Sequence, residues 1–164
     1  MNTNWIRALI ALGALLVLGT VNLSIIGKER IRHDGASVYL ALAPVDPRSL
    51  MQGDYMALRF ALAQELEHGS AGPSSAPREG ETRWAAVALD AQQVARLAAA
   101  DAPSTLRLRY RIRSGRVWLG TNAFFFEEGS AERFASARYG EFRVDRDTGE
   151  AVLVGLRDAQ LRAL

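Results

Sequence analysis

The sequence predicts an α+β protein, with one N-terminal transmembrane helix followed by a mainly antiparallel β domain and one or two short helices. Three observations predict this class: residues 8–26 carry no charge, short segments after residue 36 alternate apolar and polar side chains, and turn-forming residues separate those segments. The length of 164 residues is typical of one domain. We expect a sheet of about seven to eight strands, which can curl into a partial barrel.

The uncharged segment 8–26 has the length of a membrane span, because 19 helical residues extend about 30 Å. We therefore expect a short tail at 1–7, an anchor at 8–26 and a juxtamembrane linker at 27–35. A cleaved signal peptide is the alternative, with a weak cleavage-like site at residues 17–19. The apolar run continues to Ile26 and favours the anchor. Two polar residues inside it are candidate intramembrane contacts, unless they meet water near the interface: Asn22 and Ser24.

Turn chemistry leads into a strand between residues 44 and 62. Asp46 before Pro47 is typical of a turn or a first helical position, and Gly53 suits a left-handed residue. From Tyr55 to Leu62 the apolar residues alternate, which predicts a strand.

Gly53-Asp54-Tyr55, with Leu58 three residues later and then Phe60, resembles the signature of the GDYXXLXY family of small membrane-anchored bacterial proteins. The family pattern has Tyr where this chain has Phe60, so that hydroxyl is absent. The resemblance implies a domain outside the inner membrane and companionship with multi-span membrane proteins. The segment either only shapes a corner or presents a recognition surface. We call it the signature corner: Asp46, Pro47, Arg48, Gly53, Asp54, Tyr55, Leu58 and Phe60.

The α+β domain is expected over residues 36–164, with strands at 37–42 and 84–89. A flexible loop is expected at 68–81, where Gly, Ser, Pro and charged residues show no apolar period. Asp90 followed by Gln93 matches a capping box, and Val94 and Leu97 fit one apolar stripe, so a helix is predicted there.

Residues 105–119 form the clearest hairpin, with a two-residue turn at Ser114-Gly115. This register places Arg113 opposite Arg116, and Arg111 opposite Trp118 within reach of a cation–π contact. The arginines either form a solvated face balanced by acids or bind anionic lipid headgroups or an acidic partner. The candidate interaction surface comprises Arg107, Arg109, Arg111, Arg113, Arg116, Trp118 and Phe125.

The remaining segments predict a strand, a helix and a closing hairpin. Three adjacent phenylalanines at 124–126 cannot share one face of a strand, so Phe125 either points opposite to its neighbours into a second layer or is exposed to a partner or membrane surface. A short helix is expected at 130–138 and a hairpin at 142–154, across an acidic turn at 145–149. Three leucines indicate that the C-terminal tail packs on the domain: Leu156, Leu161 and Leu164.

Composition limits the chemistry. The net charge of +2 gives little electrostatic reason for nucleic-acid binding, and the absence of cysteine excludes disulfides and thiol catalysis. The sequence has no spacing typical of metal ligands and no phosphate-binding loop, so we expect no metal and no cofactor.

We therefore expect a non-enzymatic accessory protein of the bacterial inner membrane that binds polytopic partners through its anchor and a periplasmic β domain. A periplasmic ligand- or lipid-binding module is the alternative, and a hydrolase using Asp46 and Asp54, or Glu127, is a third. Flanking charge conflicts with the periplasmic placement: Arg7 precedes the anchor, whereas Lys28 and two arginines follow it. Large domains translocate regardless of such charges.

Overall fold

The computed structural model of the protein describes residues 3–43, 51–52, 55–69, 78–99 and 106–164. These residues form one long N-terminal helix and an α+β domain of antiparallel strands, as predicted. The single sheet that we expected is instead three small sheets. The helices are α1 Thr3–Asp34, α2 Ala61–Gly69 and α3 Ala131–Phe134. The strands are β1 Ala36–Ala41, β2 Met51–Gln52, β3 Tyr55–Ala57, β4 Thr82–Leu89, β5 Ala95–Leu97, β6 Leu106–Arg113, β7 Arg116–Trp118, β8 Ala123–Phe125, β9 Tyr139–Val144 and β10 Ala151–Arg157.

The first sheet has the order β1-β9-β10 and lies next to the end of α1. Strand β9 is central, with Val38 opposite Phe142 on one side and Leu153 opposite Phe142 on the other. Val38 and Phe142 are fully buried and belong to the core that the sheets share. The closing hairpin predicted at 142–154 is thus confirmed, and both strands are longer than predicted.

The largest sheet has the order β5-β4-β6-β7 and contains the arginine-rich hairpin. Its register is the predicted one, with Arg113 opposite Arg116, Ile112 opposite Val117 and Arg111 opposite Trp118. Leu108 and Ile112 are buried on the core face, while the arginines occupy the other face. Strict alternation determined this register, because a slip by one residue would bury the charges.

The prediction of a helix after Asp90 is wrong. The chain turns tightly and returns as β5, with Leu97 opposite Val87. The Asp90 carboxylate accepts hydrogen bonds from the backbone N–H groups of Gln92 and Val94, both at 2.9 Å, and Gln93 has φ 64°. An aspartate that bonds to N–H groups two and four residues ahead stabilises a turn as readily as a helix start, so the capping pattern was ambiguous.

The strand predicted from Tyr55 to Leu62 is also too long, since β3 ends at Ala57 and α2 begins at Ala61. The Phe60 carbonyl accepts hydrogen bonds from Ala63 and Gln64 in the first turn of α2. This helix runs to Gly69 and overlaps the start of the expected loop at 68–81. The alternating apolar residues are all buried nonetheless: Met56, Leu58, Phe60 and Leu62.

The phenylalanine segment confirms the predicted split between two faces. Phe124 and Phe126 pack on Phe134 of α3, with ring centroids 5.1 and 5.3 Å away. Phe125 points the other way and is 74% exposed. Helix α3 is shorter than the predicted 130–138.

The C-terminal tail packs on the domain, as predicted. Leu156 is buried, and the Leu164 backbone N–H donates to the Leu156 carbonyl at 3.2 Å. The Asp158 carboxylate accepts the backbone N–H of Arg162 at 2.9 Å, and this hydrogen bond is the main reason that the pKa of Asp158 is lowered.

The turn between β9 and β10 joins the first sheet to the largest one. The Gly149 carbonyl accepts a hydrogen bond from the Arg109 backbone N–H at 2.7 Å, and the Thr148 carbonyl accepts one from the Trp84 indole at 3.0 Å. Gly149 has φ +72°, and a Cβ there would lie 2.7 Å from the Arg107 carbonyl oxygen. Glycine is required at this position for both reasons.

We expect Gly149→Ala to lower the free energy of unfolding by about 3 kcal/mol, from the left-handed backbone and from the steric overlap together. Gly80→Ala is the matched control, because Gly80 has φ +78° with open space around its Cβ position. That control should lose only about 1–2 kcal/mol. Chemical denaturation of the full-length protein in detergent measures both. Equal losses would contradict the close approach of the turn to β6.

Candidate functional site

Helix α1 is long and apolar enough to cross a membrane, and its composition fits a single membrane anchor. Its apolar side chains are exposed along the whole expected anchor, residues 8–26. Residues 27–34, which we expected as a linker, continue the same helix up to Asp34. The expected anchor and linker therefore form one continuous helix that ends at the folded domain.

The domain holds the end of α1 through one apolar contact and one ion-pair cluster. Ile31 is only 8% exposed, in contrast to the bare residues before it. The Glu150 carboxylate forms an ion pair with Lys28 of the helix and another with Arg109 of β6, the second at 2.8 Å. Glu150 thereby connects the anchor to the largest sheet.

A groove of about 620 Å³ lies between this end of α1 and the arginine face of β6. Five cationic and two carboxylate side chains line it, which leaves an excess of three positive charges. We call it the basic groove. Its charged lining residues are Lys28, Arg30, Arg109, Arg111, Arg113, Asp145 and Glu150, and Leu23, Ser24, Ile31 and Trp118 are among its other walls.

Both carboxylates of the basic groove already have partners. Asp145 accepts hydrogen bonds from the Thr148 backbone N–H and hydroxyl, both at 2.8 Å, and from the Asp147 N–H at 3.1 Å. These bonds, led by that from the Thr148 backbone, lower the pKa of Asp145 and keep it ionised. Glu150 is engaged with Lys28 and Arg109.

Two arginines of the basic groove remain without a carboxylate partner. In the part of the chain that the structure describes, Arg111 and Arg113 have no acidic group within 4.0 Å. The Arg113 guanidinium instead lies 4.9 Å from the centre of the Trp118 ring. The predicted contact between Arg111 and Trp118 is therefore wrong. Strand twist brings Arg113, the diagonal neighbour, over the ring instead.

The structure divides the other members of the candidate interaction surface. Arg107 and Arg116 are exposed on the hairpin but lie outside the basic groove. Phe125 belongs to a different sheet, where its ring lies 5.7 Å from that of Tyr55. The residues predicted as one surface thus lie at a basic groove, at two exposed arginines of the hairpin outside it, and at a separate aromatic pair of exposed Phe125 and half-buried Tyr55.

Five residues of the signature corner lie outside the described residues: Asp46, Pro47, Arg48, Gly53 and Asp54. Its apolar members belong to the core: Leu58 is buried, and Phe60 packs edge-on against Phe142 at 5.3 Å.

The candidate intramembrane residues differ in their surroundings. Asn22 donates from its side-chain amide to the Leu18 carbonyl at 2.8 Å, one turn back in its own helix. Ser24 lines the basic groove. At about 100° per residue, Asn22 lies roughly 160° around the helix from the centre of the groove-lining residues.

Sequence reasoning missed the role of Glu150, the groove residue that pairs with both α1 and β6. No local sequence pattern identifies Glu150, because its partners Lys28 and Arg109 are distant along the chain. The lone lysine of the sequence, beside the anchor, was the available signal. In the described ranges, no group of three or more histidine or acidic side chains is arranged to hold a metal ion.

One apolar helix long enough to span a membrane, joined to a small α+β domain with a basic groove at their junction, fits a membrane-associated protein with a single anchor. The chain belongs to the GDYXXLXY family, whose model, described as GDYXXLXY protein, matches residues 17–156. The matched segment runs from within the anchor into β10 and includes every residue of the basic groove. No curated protein and no solved structure is significantly similar to the chain.

We expect Glu150→Gln to loosen the end of α1 from the domain, because Lys28 and Arg109 then repel each other without a shared carboxylate. Trypsin cleavage after Lys28, Arg30 or Arg32 should become roughly two- to fivefold faster in detergent, the range of a partly exposed ion pair. Glu132→Gln, an exposed change with no ion pair among the described residues, should leave the rate unchanged. Equal rates in both variants would contradict the bridging role of Glu150.

Proposed function

We propose that this protein is a non-enzymatic accessory protein of the bacterial inner membrane, which binds a polytopic partner through its anchor and its periplasmic β domain. The observation that supports the proposal is the exposure of α1. Its apolar side chains are exposed to solvent, while its C-terminal end is attached to the domain by the Lys28–Glu150 ion pair. A helix attached in this way can contact the same partner as the domain that it joins.

Asn22 supports a helical partner. It faces away from the basic groove, on a side of α1 that the domain leaves open. Its single described hydrogen bond leaves part of the amide available. Gly19, one turn earlier on the same side, allows close approach of a second helix.

The aromatic pair of exposed Phe125 and half-buried Tyr55 supports a contact outside the membrane. Phe125 is a large apolar side chain on the surface of the domain, and it lies against Tyr55 of the family signature. Aromatic side chains with one apolar face open are enriched at protein interfaces.

The charges of the basic groove favour binding over acid–base catalysis. A general base needs a carboxylate that is free to take up a proton near neutral pH. Asp145 is held ionised by its hydrogen bonds, and Glu150 is shared between two cations. Glu127, the remaining described candidate for a hydrolase, is an exposed residue.

The periplasmic placement also belongs to this proposal. Lys28 and Arg30 count against it under the positive-inside rule. Both belong to the folded domain's own groove, and Lys28 is paired with Glu150. Their presence therefore has a structural reason that is separate from topology.

We expect tagged full-length protein, solubilised gently, to retain a multi-span membrane protein in a fixed ratio. Asn22→Leu should reduce that recovery about threefold, given the strength of polar contacts between helices. Thr20→Val is the matched control, since Thr20 lies on the groove side of α1 and bonds to the Val17 carbonyl. Quantitative mass spectrometry measures both. Recovery without any multi-span protein would overturn the proposal.

The absence of cysteine allows a direct test of orientation. Glu132→Cys, on the exposed side of α3, should react fully with a membrane-impermeant maleimide in cells whose outer membrane has been permeabilised. Asn2→Cys, at the other end of the anchor, should react only after the inner membrane is lysed. The reverse pattern would place the domain in the cytoplasm.

A further inference from the structure

We infer that the basic groove is a binding site for one anionic phospholipid, with Arg111 and Arg113 holding the phosphate. The occupant is defined by its chemistry, a phosphate ester attached to an acyl-bearing glycerol. This site does not depend on the proposed function, because a lipid can occupy it whether or not a partner helix packs on α1.

Charge is the first argument. The basic groove has three more cationic than carboxylate side chains, and its two carboxylates already have partners. Arg109 and Arg111 lie close enough to Lys28 to repel its ammonium group. Clustered cations of this kind are stabilised by an anion.

Guanidinium chemistry is the second argument. Arg111 and Arg113 point to the same side of β6 and have no carboxylate partner among the described residues. Each guanidinium offers a planar pair of N–H donors that matches two phosphate oxygens. The Trp118 ring fixes Arg113 from one side and leaves its edge for a ligand.

Depth in the membrane is the third argument. The groove wall on α1 begins at Leu23 and Ser24, inside the expected anchor, and continues through Lys28 and Arg30. Lys28 lies only about 3 Å of helix rise beyond Ile26, the last residue of the apolar run. The groove therefore opens where lipid phosphates lie, with an apolar wall toward the acyl chains and a basic wall toward the headgroup.

The size of the basic groove agrees with a lipid headgroup. Its volume of about 620 Å³ lies within the range of small-ligand sites. The open shape between a helix and a sheet lets a lipid enter sideways from the bilayer. A soluble phosphate ester would use the basic wall and leave Leu23 without a partner.

The test uses full-length protein, delipidated in an uncharged detergent and titrated with phosphatidylglycerol or with phosphatidylcholine of the same acyl chains. Native mass spectrometry counts bound lipid. We expect one phosphatidylglycerol to bind in preference to phosphatidylcholine. Arg111→Gln with Arg113→Gln should weaken that binding roughly 25-fold, at about fivefold for each charge. Lysine at both positions should restore only part of the binding, because an ammonium group keeps the charge and lacks the paired planar donors.

Arg107→Gln with Arg116→Gln is the matched control, since it removes two exposed arginines of the same hairpin outside the basic groove. The affinity of this control variant for phosphatidylglycerol should change less than about threefold. Equal losses in the two double variants, or equal binding of both lipids, would overturn the site. Inorganic phosphate or glycerol 1-phosphate that stabilises the protein as well as phosphatidylglycerol does would overturn the lipid assignment.

Folding is checked by the lipid-free melting midpoint, which should match that of the unchanged protein. If the double variant Arg111→Gln, Arg113→Gln unfolds, Arg30→Gln gives the same test from the helix side. Arg30 is an exposed residue of α1 that lines the basic groove. Arg30→Gln should weaken phosphatidylglycerol binding about fivefold. Unchanged binding would count against the site.

Discussion

The β9–β10 turn is the constraint on which the arrangement of this protein depends. Its six residues make contacts in three directions. The Gly149 carbonyl accepts a hydrogen bond from the backbone of β6, the Thr148 carbonyl accepts one from the Trp84 indole, and the Glu150 carboxylate pairs with Lys28 near the end of α1. Asp145 holds the turn in shape through Thr148. A short hydrogen-bonded turn thus fixes two sheets and a helix relative to one another.

This constraint determines what lies opposite the arginine face of β6. On an isolated hairpin the arginines would be a solvated face, which is one of the two readings that the sequence allows. The turn places Arg111 and Arg113 opposite the end of α1, where further cations already lie. The charges therefore converge in one groove, although the chain as a whole has a net charge of only +2.

The family signature has a divided role in this structure. Leu58 and Phe60 belong to the core, and Phe60 provides the first hydrogen-bond acceptor of α2. Tyr55 lies at the surface against Phe125 and belongs to the aromatic pair. The described part of the signature thus lies both in the core and beside the exposed Phe125 ring.

The sequence by itself determined the apolar helix of membrane-spanning length, the α+β class and the register of the arginine hairpin, because apolar length and strict alternation are local properties. It misassigned Asp90 and the residues after Ala57, where one local pattern fits two structures. Only the tertiary structure decided that Glu150 joins Lys28 to Arg109. That pairing depends on how a turn packs against distant segments, and no periodicity along the chain encodes such a contact.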